Sequence, residues 1–239
     1  ATSYWVAENS APTEGALSFD YVSLIPKTAA AFVDFSRRFA LQSSVDAEQL
    51  VRNDLMESMA RTLDSAAIGS TVTNGPTGIR GTAGIGSVTH GTNGGPPLWS
   101  TIVNLIREVE VDNGAGAAMA FLSNDKVKAK LMATPRQSSG VEGAFIIGEN
   151  PALLGGQKAV YSNGVPSNLT KGSSGAVCSA IYYGDWSQLV WALWGNAFDI
   201  LVDPYTGSSA GTVRVCCFTE TDFGVRHPES FAVTVDVTT

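Results

Sequence analysis

Between Asp46 and Ile68 the chain reads DAEQLVRNDLMESMARTLDSAAI. Val51, Leu55, Met59, Leu63 and Ala67 recur at four-residue spacing, with Met56 and Ala60 beside them, and so draw one apolar stripe along a helix of about six turns. Glu48 with Arg52, and Glu57 with Arg61, set acid one turn before base on the wetter side. Asp46 is placed to cap the start, Gln49 to reach back as in a capping box, and Gly69 to give a left-handed stop. Leu and Met at this spacing read as core, with no cofactor role.

Upstream of this helix, ALSFDYVSLIP (16–26) alternates Leu17, Phe19 and Tyr21 with Ser18, Asp20 and Val22, and YWVAE (4–8) has strand composition too. Pro12 and Gly15 mark a bend between them, so the opening reads as a projecting two-stranded ribbon with aromatics on both arms. Such a ribbon is marginal alone in water and calls for a partner surface. Residues 28–44, TAAAFVDFSRRFALQSS, read as a strand entering a short helix.

Downstream, residues 70–97 are rich in Gly, Thr and Asn and read as a boundary. PLWSTIVNLIREVEVD (97–112) then reads as a helix with Trp99, Ile102, Val103, Ile106 and Val109 on one side, Pro97 near its first turn. GAAMAFLSN (116–124) is a buried strand, and DKVKAKLMA (125–133) a short helix closed by Pro135. Short strands with turns follow to Pro166, two or three more to Pro204, and two in the tail around a turn at His227 and Pro228. Strands and helices mix without strict βαβ alternation, which makes the class α+β.

Composition narrows the function. Of 239 residues, 44% are hydrophobic and only 15% charged, against about 25% charged in an ordinary globular domain. That deficit points to surface hidden against other chains. A net charge of −7 with 15 scattered Lys and Arg argues against nucleic-acid recognition. No run of residues resembles a membrane span or a signal peptide. Cys178 and the adjacent Cys216 and Cys217 lie in apolar surroundings; neighbours in a strand point to opposite faces, so that pair does not bridge and a reducing cytoplasm is the natural reading. Trp5, Trp99, Trp186, Trp191 and Trp194 are many for this length, and Trp is enriched at interfaces.

Catalytic candidates are few. His90 sits in the Gly-rich stretch and His227 before Pro228, neither in a metal-spaced cluster, and no GxSxG elbow accompanies them. The glycines of GIRGTAGIG (78–86) lack the Lys-Ser or Lys-Thr of a phosphate loop. Asp64, Asp185 and Asp199 fall on separate elements and read as solvated or capping carboxylates. The sequon at Asn168 matters only in a secreted eukaryotic protein. The expectation is no enzyme, no cofactor and no metal.

In order, WVAENSAPTEGALSFDYVSLIPKTAAAFVDFSRRFALQSS, the helix at 46–68, LLGGQKAVYSNGVP (153–166), AIYYGDWSQ (180–188) and FGVRHPESFAVTVDV (223–237) resemble the major capsid protein of tailed bacteriophages, the Hong Kong 97-type shell protein. The resemblance runs through nearly the whole chain. It implies an extended loop at 1–22 that lies over a neighbouring subunit, contacting it through Tyr4, Trp5, Val6, Leu17, Phe19 and Tyr21. It implies a peripheral domain at 23–95 with spine helix 46–68, its core positions Val51, Leu55, Met59 and Leu63. An axial domain at 96–195 follows, and 196–239 returns to the peripheral sheet with 203–211 as an outer loop.

The implied function is a structural subunit of an icosahedral phage or prophage head, assembled in the bacterial host cytoplasm as hexamers and pentamers around packaged double-stranded DNA that is not read by sequence. Scaffolding segment, portal and decoration proteins are the further implied partners. An encapsulin-type nanocompartment shell is the alternative on the same fold. Family genes carry an arm before the extended loop, so a chain starting inside that loop without Met implies truncation or proteolysis. Some members form Lys-Asn cross-links between loop and neighbour; ENSAPTEG (8–15) holds no Lys and YTGSSAGT (205–212) no Asn, which implies a shell without them.

Overall fold

The computed structural model describes residues 3, 5–11, 13, 14, 21–42, 47–137, 144–148 and 150–239. The first strand, β1 (Lys27–Ser36), leads directly into α1 (Arg37–Gln42), as its sequence anticipates, and the long helix follows as α2 (Ala47–Ile68). Next come β2 (Gly86–Ser87), α3 (Trp99–Val111), β3 (Met119–Ser123), α4 (Asp125–Ala133), β4 (Leu153–Leu154), β5 (Gln157–Tyr161), β6 (Leu169–Lys171) and β7 (Ser174–Asp185). The chain closes with β8 (Leu189–Asp203), β9 (Thr212–Val225) and β10 (Phe231–Thr238). The described strands form two sheets: a three-stranded antiparallel one ordered β1-β9-β8, and a larger one ordered β2-β10-β7-β3-β5-β4 with β6 beside β7.

The smaller sheet follows from the period-two pattern of KTAAAFVDFS. Ala29, Ala31, Val33 and Phe35 point to one face, where Val213, Val215 and Cys217 of β9 and Ile200 and Val202 of β8 join them. The stripe of α2 lies on this face. Leu55, Met59 and Leu63 are buried and Val51 is partly so, while Ala60 is exposed. Both expected pairs form, Glu48 Oε1 accepting from Arg52 Nε at 3.0 Å and Glu57 accepting from Arg61. In β8 the ladder to β9 breaks between Trp194 and Asp199, and Gly195 there takes a positive φ.

The C-terminal end of α2 differs from the sequence expectation. At the other end, the expected cap at Asp46 and its capping box lie outside the described residues; the Gln49 side chain donates to Asn53 Oδ1 at 2.9 Å. Gly69 is not left-handed; its N–H extends the helical pattern to Ser65 O at 2.9 Å. The stop comes from tertiary contacts: Tyr182 Oη of β7 donates to the Ile68 carbonyl at 2.8 Å. Gly78 presses on the same end, since a Cβ there would stand 2.2 Å from the Ala66 oxygen. A helix terminus inside a protein needs such partners for its last carbonyls.

The larger sheet buries both faces over most of its area. On one side α3 and α4 contribute Ile102, Leu105, Val109, Val127 and Leu131 to a core with Phe121, Ile181 and Tyr183. Leu105 replaces Val103 in the expected α3 stripe, and Val103 faces out. On the other side Ile68, Ile79 and Val165 cover Tyr182, Phe231 and Val233.

Three expectations are corrected here. Residues 70–97 are not a loose boundary: Ile79 is fully buried, and Gly86 and Ser87 pair in parallel with β10. Their Gly-rich composition serves close passage against the helix end and β10, not flexibility. The tail does not return as one piece, because β9 joins the smaller sheet and β10 pairs with β7 in the larger one. Of the expected ribbon, residues 5–7, 10, 11, 13, 14, 21 and 22 carry no ladder pairing within the chain, and 8–9 form a turn; a two-stranded ribbon with no sheet of its own chain to rest on gains too little to pair. Residues 15–20 lie outside the described residues.

Candidate functional site

The exit of the N-terminal segment from the body is built on Asp222 of β9. Asp222 is 5% exposed. Its Oδ2 accepts from the Ile25 N–H at 2.9 Å and its Oδ1 from the Phe223 N–H at 2.9 Å, while Lys27 Nζ stands 3.5 Å from Oδ1. A buried carboxylate with two amides and an ammonium is satisfied, and it fixes where residues 21–26 leave the sheet. Gly224, two residues on, lets that segment cross β9: a Cβ would sit 2.6 Å from Val22 Cγ1 and 2.8 Å from Leu24 Cδ2.

Beyond this root the described residues of the segment are exposed. Trp5 has a relative exposure of 102%, Tyr21 86%, Ile25 62% and Val6 46%. Covering one Trp removes on the order of 200 Å² from water, a gross gain of about 5 kcal/mol. Of the six residues expected to contact a neighbour, Trp5, Val6 and Tyr21 are thus presented to solvent, and Tyr4, Leu17 and Phe19 lie outside the described residues. Trp191 is also 54% exposed; its indole N–H donates to Thr221 Oγ1 at 2.7 Å and its ring stacks on Phe223.

A second constellation has the atoms of a hydrolase but not the access. Asp236 Oδ1 lies 2.9 Å from His90 Nδ1, and His90 Nε2 lies 2.6 Å from Thr101 Oγ1. Thr101 is 3% exposed, and the His90 and Asp236 side chains 6% and 0%. A nucleophile with no open face cannot meet a substrate, so the chain of contacts is a pin between the 88–98 segment, α3 and β10. Burial pushes the Asp236 carboxyl up. Donation from the His90 ring, the His90 N–H and Thr234 Oγ1 outweighs it and leaves the group below its ordinary range.

Asp185 is equally structural. Burial pushes it up, but the Ser187 N–H and hydroxyl, the Gln188 amide and the Ala118 N–H bring it below the usual carboxylate range. It ties the turn after β7 to the segment before β3. His227 only precedes the short 3-10 turn Pro228–Ser230, and Asp64 is exposed. Among the described residues no group of three or more His, Cys, Asp or Glu is placed to hold a metal, and all three cysteines are free. No described helix is long and apolar enough to cross a membrane.

Sequence reasoning missed the anchoring roles of Asp222, Asp236 and Tyr182. A signal existed for one of them: Asp236 interrupts the apolar run FAVTVDV, and a charge there is tolerated only with partners. Asp222 and Tyr182 meet residues 197 and 114 positions away, which no local pattern reports.

The buried carboxylates of the body are thus partnered, while Trp5, Val6 and Tyr21 of the arm are exposed. The major capsid protein of Halomonas phage phiHAP-1 is 26% identical over 233 residues, which are 96% of this chain and 35% of the relative. The chain thus spans about a third of that curated relative's length. Among solved structures, the capsid of a native GTA particle superimposes with a TM-score of 0.76 at 21% identity, covering 99% of this chain and 82% of the other. The SrpI encapsulin of Synechococcus elongatus PCC 7942 gives 0.63 at 15% identity, covering 90% and 75%. These show the fold expected from the sequence. Residues 1–236 match the description of the phage capsid family, and the chain belongs to it.

Proposed function

We propose that this chain is a structural subunit of an icosahedral phage or prophage head, which assembles with copies of itself as hexamers and pentamers around packaged double-stranded DNA. The observation that carries the reading is the arm: Trp5 is fully exposed and Tyr21 86% exposed on the single chain, while its root is pinned by the buried Asp222. A fold with an ordered exit and an apolar, uncovered extension is completed by another molecule. Tyr4, Trp5, Val6, Leu17, Phe19 and Tyr21 are the contacts we assign to that neighbour. The net charge of −7 suits a wall that does not bind packaged DNA by sequence.

On this reading 1–22 is the extended loop, 23–95 and 196–239 form the peripheral domain, and 96–195 the axial domain. The two sheets support the division only in its main parts: β1, β9 and most of β8 form the smaller sheet, while β2 from 23–95 and β10 from 196–239 pair within the larger one. Assembly takes place in the host cytoplasm, the product is the virion, and scaffolding, portal and decoration proteins are its further partners. The shell carries no Lys-Asn cross-links, and the chain has no catalytic role.

Electron microscopy and sedimentation of the full-length gene product test the proposal. Closed particles are expected, with a monomer band in denaturing gels, and Trp5→Ala with Tyr21→Ala lowers their yield. A product that stays monomeric at high concentration refutes it. The likeness to an encapsulin favours a second reading, a protein-filled compartment. Particle contents decide: nuclease-resistant double-stranded DNA supports the head, a packaged protein the compartment.

A further inference from the structure

The face of the smaller sheet turned away from α2 is crossed at one end by residues 22–25, over Asp222 and Gly224, and is open between Arg214 and Glu220, where its cross-strand rows have a definite order. One row is Asp34, Arg214 and Asp203; the next Phe32, Cys216 and Leu201; then Ala30, Phe218 and Asp199; and last Thr28, Glu220 and Trp194. Phe32 is 60% exposed, Leu201 57% and Phe218 37%. Around this apolar centre stand four carboxylates against one guanidinium, and Asp34 already holds Arg214 by two bonds of 2.7 Å. Asp199 and Glu220 have no ion pair among the described residues.

The opposite chemistry lies on α4 and the segment after it. Lys126 and Lys130, one turn apart, are exposed, Lys128 lies over the Tyr161 ring, and Arg136 stacks on Trp99. Asp125 is the one carboxylate of that helix, and none of these four cations has an ion-pair partner among the described residues. Met132 and Phe145 beside them are 48% and 51% exposed. One surface is thus apolar with an acidic rim, the other apolar with a basic rim.

We infer that the acidic outer face of the smaller sheet is the seat of the basic α4 surface of a second copy. The two patches are different surfaces of one chain, so the contact is heterologous and repeats from copy to copy, as a ring or shell requires. Three strands about 4.8 Å apart and four rows about 6.7 Å apart give on the order of 400 Å² per side. That is about half of the roughly 800 Å² per partner of a stable pairwise interface. The contact is therefore weak by itself and adds up only in a many-membered assembly. Charge complementarity sets its register and speeds encounter, and salt weakens it. The inference rests on the shell reading above and deepens it.

Charge reversal with rescue tests it on the full-length gene product. Asp199→Lys with Glu220→Lys, and separately Lys126→Glu with Lys130→Glu, are expected to lower particle yield about tenfold each, since like charges then face one another across the contact. Joining all four substitutions in one chain is expected to restore yield to within about threefold of the parent. Circular-dichroism melts show that each variant folds. Parent-like yield from either reversal, or a combined variant no better than the two it joins, overturns the inference and leaves the shell reading intact. If the parent forms no particles, the shell reading fails. The same reversals then act on its self-association in sedimentation at low salt, and insensitivity there overturns the contact as well.

Discussion

The two sheets solve the same packing problem to different degrees. The larger one is closed by α3 and α4 on one face and by Ile68, Ile79 and Val165 on the other, and its buried carboxylates Asp185 and Asp236 are fully partnered. The smaller one covers only the face under α2 and leaves Phe32, Leu201 and Phe218 to water, beside an arm whose Trp5 touches nothing of its own chain's core. The first is covered on both faces by its own chain. The second leaves apolar surface in water, and on the proposed reading that surface is where other copies meet the chain.

Mutations sharpen this contrast in a definite order. Phe121→Ala in the closed sheet removes a ring 1% exposed and 4.3 Å from that of Tyr183. It is expected to cost about 3–5 kcal/mol in urea unfolding, because transfer and cavity terms add. A loss under 1 kcal/mol would mean that this sheet is not closed.

Asp236→Asn comes next, at about 2–3 kcal/mol near neutral pH, since it replaces an acceptor-only group among three donors. Its pH signature follows from the depressed carboxyl. A folded value below the ordinary 3.8 contributes stability at pH above that value, and the contribution is lost as pH falls through the folded value. The variant should therefore show a flatter acid limb than the parent in thermal melts below pH 4; parallel acid limbs would contradict the assignment.

Tyr182→Phe is expected to cost about 1–2 kcal/mol, by leaving the Ile68 carbonyl without its partner. Burial pushes the Tyr182 hydroxyl up to about 12. A folded value above the free one gives stability that is complete below pH 10 and lost as pH rises through 12. The variant should lack that part of the alkaline loss, read from fluorescence-monitored unfolding.

Phe32→Ala, on the open face, has the smallest effect on the isolated chain, about 1 kcal/mol or less, chiefly from its contact with the Arg214 guanidinium 4.5 Å from the ring centroid. Its consequence belongs to assembly. A large loss of monomer stability would show that this ring packs at home and would erase the contrast.

What the sequence disclosed was whatever one element states by itself. The α2 stripe is legible because Leu55, Met59 and Leu63 repeat at helical period, and β1 because KTAAAFVDFS alternates. Residues 70–97 were misread since a Gly-rich stretch looks alike whether it is loose or squeezed; only Ile79, one apolar residue among many small ones, marked its burial. The split of β9 from β10 depends on pairings such as Ala30 with Phe218 and Val233 with Tyr182, which couple distant stretches. Of the site, the exposed Trp5 and Tyr21 were legible as aromatics with no local core. Asp222, which holds the arm, reads as an ordinary acid in TETDFGV, because its partners come from the start of the chain.

The interruption in β8 between Trp194 and Asp199 has a consequence for the chain before it meets its fellows. An edge strand of 15 residues would offer a long row of free amides and carbonyls to any passing strand. Broken at Gly195, the row becomes two shorter pieces with a twist between them, which spoils a long in-register pairing with a passing strand. On the shell reading, many copies at high local concentration would then be less prone to stack in disorder through this border before they associate in order.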